Sequence, residues 1–446
     1  MSDDEDRDQA ERPTDGPPPE PHHEWLTGAW GHRRAAPRFV APPPGEATGE
    51  SVLDAPRRTR AGARRSSQKR TRRRRRVGVA VALIVLLGIG SAVYLGGRAF
   101  IGQFTGSGAD DFAGSGQADV VVQVGAGDSL GAIGKTLLND KVVASVAAFT
   151  QAASKDPRMT SVQPGYYRLR TQLPAADVVG RLVDPGSRVG KMVIPEGRQL
   201  DDVKNGSGTV TPGILSLAAK ASCVELDGQR KCTTAADLRN AAAVAGPTEL
   251  GVPAWASAGV TAASAQKERR LEGLIRPGSY DVEPATSATT ILSRLITRSA
   301  TAFNLTGLPE SSAGGLTPYQ LLIVASLNER EVKPGEYTKV SRVILNRLAI
   351  GQKLEFDSTV NYPLDVQAVA TTPKDRAAVT PWNTYASPGL PLTPIASPSD
   401  DAIEGALKPA TGNWHYFVTC GTQGATCFSD TYEQHLAVIA GGGGPP

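Results

Sequence analysis

The sequence predicts an α+β protein with a single transmembrane helix, its folded part lying beyond the membrane. Three observations predict it. An uncharged apolar run of 21 residues, Val77 to Gly97, directly follows a strongly basic segment. From about residue 118 onward, short strand, turn and helix patterns alternate. The last third adds two helical patterns, 319–332 and 337–349, and a strand–turn–strand pattern around Cys420 and Cys427.

Residues 1–76 come first. Up to residue 56 they are acidic and Pro-rich, with almost no aliphatic runs, so they cannot bury enough apolar surface to offset ordering entropy. A disordered tail is expected, basic at 57–76, where twelve residues are Lys or Arg. The run VGVAVALIVLLGIGSAVYLGG over 77–97 is long enough to cross a hydrocarbon core of about 30 Å. A cleaved signal peptide has a shorter core and would not follow so long a tail. A buried soluble helix of this length rarely lacks a polar face. The basic residues before the span, against Arg98, Asp110 and Asp111 in the twenty after it, place the amino end in the cytoplasm and the rest outside.

Charge confirms that division. The net charge is +4, but residues 1–97 hold 17 Lys and Arg against 12 Asp and Glu, leaving 31 against 32 for the remainder. The folded part therefore has no basic signature for nucleic acid.

A Gly/Ser-rich linker spans 98–117. A strand is expected at Asp119–Val124, then a turn at Gly125–Gly127 and a helix from Leu130 capped by Asp128 or Ser129. Val142–Ala153 reads as a helix, Gln163–Leu169 as turn and strand, and Ala175–Leu182 as a helix. Weak echoes follow. Val193–Gly197 with a helix at Leu200–Val203 resembles the first unit, and Arg276–Tyr280 with a helix at Thr289–Ile296 resembles the second. Residues 205–266, rich in Ala, Gly and Thr, read as a loop-rich insertion, and 267–315 as a connecting α+β segment.

The final domain, 316–440, opens with Thr317 as helix cap and Pro318 at the first helical position. The helix Tyr319–Val332 should stop near Lys333-Pro334-Gly335. Short strands and Pro-rich loops are expected up to residue 400, then helices near Asp400–Leu407 and Thr431–Ala440. The four cysteines fall into two close pairs without zinc-site spacing, so Cys420–Cys427 and Cys223–Cys232 disulfides are expected in an oxidising compartment.

Chemistry is then a matter of elimination. There is no HExxH, no GxSxG and no Walker A loop, and no metal or cofactor is called for. Ser264-Ala-Gln-Lys267 matches S-x-x-K, but no KTG follows it. Acid/base chemistry remains, at Glu329 and Glu331 near the end of the apolar helix. Two residues apart, they project roughly 200° from each other, and periodicity alone does not choose between them. A carboxyl at such a helix edge can be partly desolvated, which raises its pKa and suits a general acid.

Four ordered stretches settle the choice by resemblance: Ala325-Ser-Leu-Asn-Glu329-Arg-Glu331, Val343-Ile-Leu-Asn346-Arg347-Leu348, Leu354-Glu-Phe-Asp357-Ser-Thr359-Val-Asn-Tyr362, and Asn383-Thr-Tyr385-Ala-Ser-Pro-Gly389-Leu-Pro391 with Pro394-Ile-Ala396. Together they resemble the endolytic murein transglycosylase family, MltG or YceG-like, whose closing Phe and His appear as Phe428 and His435. Val-Ile-Pro-Glu-Gly197 and Glu272–Pro277 fit the family's earlier part, with 118–204 as a LysM-like module. The resemblance covers about 118–437 and leaves 205–266 unexplained. Asn328, and Ser358 where Pro is usual, depart from the common pattern.

The resemblance implies that Glu329 is the catalytic acid/base. It implies a lytic transglycosylase that cuts the MurNAc–GlcNAc bond of nascent peptidoglycan strands to leave 1,6-anhydro ends and stop elongation. Glu331, Asn346, Asp357, Thr359, Asn383 and Tyr385 are candidate supporting or cleft-lining residues. Glycan strands are the expected partner, with cell-wall synthases as candidates. Two rivals stand beside this: a hydrolase using water, with Asp357 as second carboxylate, and a non-catalytic wall-binding scaffold.

Overall fold

A computed structural model of the chain describes residues 109–368, 371–420 and 425–441. The expected tail, the transmembrane helix at 77–97 and the linker up to residue 108 lie outside the described residues. Among the described residues no helix is long and apolar enough to cross a membrane.

The first module is a small antiparallel sheet covered by helices. Strand β1 (Asp119–Val124) alternates its valines, burying Val122 and Val124. The turn after it needs a left-handed backbone at Gly127, φ +79°. Ser129 then caps α1 (Leu130–Asn139), its hydroxyl accepting from the Ala132 N–H at 3.2 Å. Helix α2 runs Val146–Ala153, four residues later than the expected start at Val142. The reason is local: Ser145 caps the helix, while the Val142 N–H bonds back to the Leu137 carbonyl. Strand β2 (Gly165–Arg170) pairs with β1, Val122 opposite Tyr167, and α3 (Ala175–Leu182) and the short β3 (Arg188–Val189) complete the unit. Val122, Leu137, Phe149, Leu169 and Val178 form its separate core.

The larger body begins at β4 (Lys191–Ile194). Leu200–Val203 is not helical, as the echo suggested. The chain instead enters β5 (Val203–Asn205), which pairs with β6 (Val210–Thr211), and the Leu200 carbonyl that a helix would use accepts from the Leu215 N–H at 3.0 Å. The stretch 205–266, expected to be loop-rich, also holds α4 (Ile214–Ala221), a hairpin of β7 (Val224–Leu226) and β8 (Gln229–Lys231), α5 (Ala235–Val244) and α6 (Ala254–Ala262). Alanine is the best helix former, and its small side chain lets these helices bury Leu215, Leu238, Ala242 and Val260 in the main core. The Cys223–Cys232 disulfide closes the base of the hairpin. At its turn, Asp119 and Asp227 exchange hydrogen bonds, each carboxylate accepting from the other's N–H at 2.9 and 3.0 Å. The insertion is thereby tied to β1.

Strand β9 (Gly278–Asp281) pairs with β4, so the two echoed segments lie side by side, Met192 opposite Tyr280. Helix α7 (Ala288–Thr306) leads to α8 (Pro318–Glu331), which carries a capping box between Thr317 and Gln320. Tyr319 and all of Leu321 to Asn328 are buried, so α8 is the central helix. Helix α9 (Tyr337–Ala349) follows. Between 350 and 400 the chain forms α10 (Asp357–Asn361), a two-residue β10 (Val366–Gln367) parallel to β5, and α11 (Pro373–Ala377), rather than strands and loops alone. Helix α12 (Asp400–Leu407) packs on α8 and α9. Strands β11 (Tyr416–Cys420) and β12 (Ala425–Ser429) form the hairpin closed by Cys420–Cys427, and α13 (Tyr432–Gly441) ends the described fold.

Candidate active site

Because α8 is buried on all sides along most of its length, chemistry is confined to its last turn. Asn328, fully buried, anchors that turn by donating to the Ser341 hydroxyl (2.8 Å) and the Ala402 carbonyl (3.3 Å), which joins α8 to α9 and α12. This gives the Asn that departs from the family pattern a structural role.

Glu329, half-buried, turns toward the start of α12, where the Ser399 N–H donates to its Oε2 at 2.9 Å. Ser399 is the N-cap of that helix, so the carboxylate lies where the helix field favours negative charge. On its other side is the turn Pro195-Glu196-Gly197-Arg198. A Cβ at Gly197, whose φ is +68°, would stand 3.6 Å from Glu329 Cγ and 3.8 Å from Oε1. Those are ordinary contact distances, so the positive φ rather than lack of space is what favours glycine here.

Residues remote in sequence hold the turn. The Gly197 N–H donates to the Ser397 carbonyl at 2.9 Å, and the Ser397 N–H to the Arg198 carbonyl at 2.8 Å. Gln199 Nε2 donates to the Ile395 carbonyl at 3.1 Å, and the Ser397 hydroxyl to the Ile275 carbonyl. Beneath lies Glu272, fully buried, which accepts from the Leu200 N–H at 3.2 Å and the Tyr362 hydroxyl at 2.8 Å. Burial pushes the Glu272 carboxyl up to about 7.

The electrostatics of Glu329 follow from this enclosure. Burial, chiefly, pushes its pKa up; the Ser399 hydrogen bonds pull it down, the Glu196 charge raises it, and Arg330 lowers it, with a net rise. The Tyr337 phenol, buried on α9, interacts with both Glu329 and Ser399, and its own pKa is raised. A carboxyl so placed can hold a proton closer to neutrality than an exposed glutamate and can take it back once the Ser399 amide steadies the anion.

Glu331 points the other way, as two-residue spacing requires. It is 4% exposed, and its Oε1 accepts from the Ser358 hydroxyl and from the Ser358 N–H at 3.4 Å. Burial, with the nearby Asp357 charge, pushes it up to about 7. It lines a pocket with Phe356, Asp357, Tyr385, Tyr416 and His435. Asp357 accepts from Thr371 and Tyr385 hydroxyls, both at 2.8 Å, and pairs with Arg376 at 3.4 Å. Glu331, Asp357 and Tyr385 therefore meet, but on the opposite face of α8 from the groups that touch Glu329.

The remaining candidates serve the scaffold. Thr359, fully buried, bonds the Phe356 carbonyl (2.6 Å) and Thr384 (2.9 Å). Asn346 donates to the carbonyls of Gly412 (3.1 Å) and Trp414 (2.9 Å). Asn383 donates to three carbonyls around Asp375–Ala378 and accepts from the Tyr385 N–H. Glu196, Glu272, Tyr337 and Ser399 went unassigned from sequence. Ser399 alone carried a local signal, since Ser before Asp400-Asp401 is a helix-cap pattern; the others are joined only by tertiary contacts.

The family model described as the YceG-like family matches residues 122–440. The endolytic murein transglycosylase of Streptococcus pneumoniae serotype 2 (strain D39) is 25% identical over 335 residues, covering 72% of this chain and 58% of that one. The protein of the same name from Bacillus subtilis strain 168 is 30% identical over 167 residues, covering 37% of this chain and 46% of that one. The chain thus spans little more than half the length of the pneumococcal relative. A solved YceG-like protein from Listeria monocytogenes superposes with a TM-score of 0.43 at 22% identity, covering 72% of this chain and 99% of that one.

Proposed function

The chain belongs to the YceG-like family, and on that premise we propose that it is an endolytic lytic transglycosylase of peptidoglycan. The observation that carries the reading is Glu329: a half-buried carboxyl of raised pKa, held by the N–H of Ser399, the N-cap of α12.

The chemistry follows from one proton. Protonated Glu329 gives it to the bridging oxygen between MurNAc and GlcNAc, and the C1–O bond breaks with positive charge developing at the anomeric carbon. The glutamate left behind, steadied by the Ser399 N–H, accepts the proton of the muramyl C6 hydroxyl. That oxygen closes on C1 and gives the 1,6-anhydro end. Attack from within the same sugar has a high effective molarity, so no activated water is needed. The rival hydrolase assigned Asp357 as second carboxylate; its bonds to Thr371, Tyr385 and Arg376, on the far face of α8, do not favour that role.

The reading extends to location. Residues 77–97 span the plasma membrane with the basic tail inside, and the LysM-like module and the catalytic domain lie outside. There the enzyme meets nascent strands and cuts them, ending their elongation, beside cell-wall synthases that are its candidate partners.

The test is a digest of uncrosslinked glycan strands by the full chain in detergent micelles, read by mass spectrometry, beside Glu329→Gln. Anhydromuramyl ends that disappear in the variant are the expected result. Ends heavier by one water would make the protein a hydrolase, and no cleavage by folded wild type would leave a scaffold.

A further inference from the structure

The site as described has one carboxyl doing two proton transfers and nothing facing the positive charge that develops on the sugar. We propose that Glu196 is a second catalytic carboxylate, standing on the lip opposite the Ser399 amide and facing the anomeric carbon as that charge develops. The inference rests on the transglycosylase reading and assigns a further residue to the same site.

Position is the first argument. Glu196 immediately precedes Gly197, where a Cβ would stand 3.6 Å from Glu329 Cγ, so the turn lies in contact range of Glu329. The turn is rigid: β4 enters it with Ile194 paired to Gly278, and Gly197, Arg198, Gln199 and Leu200 are each hydrogen-bonded to the 395–397 segment or to Glu272. A charge carried on so constrained a turn keeps its place during the reaction.

Availability is the second. Glu272, Glu331 and Asp357 are buried, and hydrogen bonds already occupy them. Glu196 is exposed, and among the described residues it forms no ion pair. Its carboxylate is free to meet a ligand.

Field is the third. The Glu196 charge acts on both Glu329 and the Tyr337 phenol, so it lies within electrostatic reach of both groups. The other charged groups around Glu329 are accounted for. Arg330 lies next to it on α8, Asp401 on α12 acts on Tyr337, Asp400 is paired with Arg276, and half-buried Arg198 ends the same turn.

The role is electrostatic and forms no bond. Glu329 supplies and recovers the proton, and the C6 oxygen makes the new bond to C1. Glu196 lowers the energy of the cationic sugar between those events and, as a like charge beside Glu329, helps keep the acid protonated.

The experiment compares full-length wild type, Glu196→Gln and Glu196→Asp in detergent micelles on uncrosslinked strands, with kcat, KM and the pH profile measured. Glu196 is exposed, so the variants fold, which far-ultraviolet circular dichroism checks. In Glu196→Gln, kcat should fall by about 100-fold with little change in KM. The alkaline limb should move to lower pH, because removing the like charge lowers the Glu329 pKa. Glu196→Asp should recover part of kcat and return the limb toward wild type. A Gln variant within about threefold of wild-type kcat, or one whose alkaline limb stays in place, overturns the assignment while wild-type cleavage keeps the transglycosylase reading. A wild type that releases no anhydromuramyl ends overturns both.

Discussion

Glu331→Gln should remove a pH-dependent loss of stability from this protein. In the folded state the Glu331 carboxyl is raised from 4.5 to about 7 by burial, with Asp357 adding to the rise. Between those values the unfolded chain ionises Glu331 while the folded chain keeps it protonated. The stability this confers is fully present below pH 4.5 and is lost as pH rises through 7. At 1.36 kcal/mol per pKa unit, the loss is about 3 kcal/mol. Glutamine can still accept from Ser358 but cannot ionise, so the variant lacks that slope. Denaturant titrations from pH 4 to 8, followed by tryptophan fluorescence with buried Trp382 as reporter, measure it. Glu272, also near 7, contributes its own slope to both proteins, so the difference between them is the quantity to read. Wild type should lose about 3 kcal/mol relative to the variant across the range. Asp357→Asn should shrink the wild-type slope. Parallel stability curves for wild type and Glu331→Gln would refute the reasoning, since they would mean that Glu331 ionises alike in both states.

Two further predictions test the scaffold. Asn346→Ala deletes two hydrogen bonds to the carbonyls of Gly412 and Trp414 and should destabilise by about 1–3 kcal/mol in thermal melts. Strand KM should be unchanged, whereas a rise in KM without loss of stability would return Asn346 to the cleft. Gly259→Ala places a Cβ 2.2 Å from the Tyr319 ring and should destabilise by more than about 1 kcal/mol, whereas Gly180→Ala, with open space around it in α3, should stabilise slightly. Equal melting temperatures for the two variants would show that α6 does not pack against α8.

The sequence by itself determined most of the local structure. Where one short-range signal dominated, elements fell within a residue or two of expectation: β1 from its alternating valines, α8 from Thr317 and Pro318, and α3, α9 and α12 from apolar spacing. It also brought Glu329 forward, through ordered motifs rather than through periodicity, which could not separate Glu329 from Glu331. It failed where small residues blurred the pattern, as in 205–266, where alanine helices pack tightly without large apolar side chains to mark a face. It failed again at Leu200, where the carbonyl a helix would have used accepts instead from the N–H of Leu215. Only the tertiary structure decided what surrounds each glutamate. It put Glu329 between the start of α12 and the Glu196–Gly197 turn, and sent Glu331 to Asp357 and Ser358 on the other face. Desolvation and charge at a carboxyl depend on groups within a few ångströms, and those groups come from segments up to 132 residues away along the chain (Gly197 to Glu329).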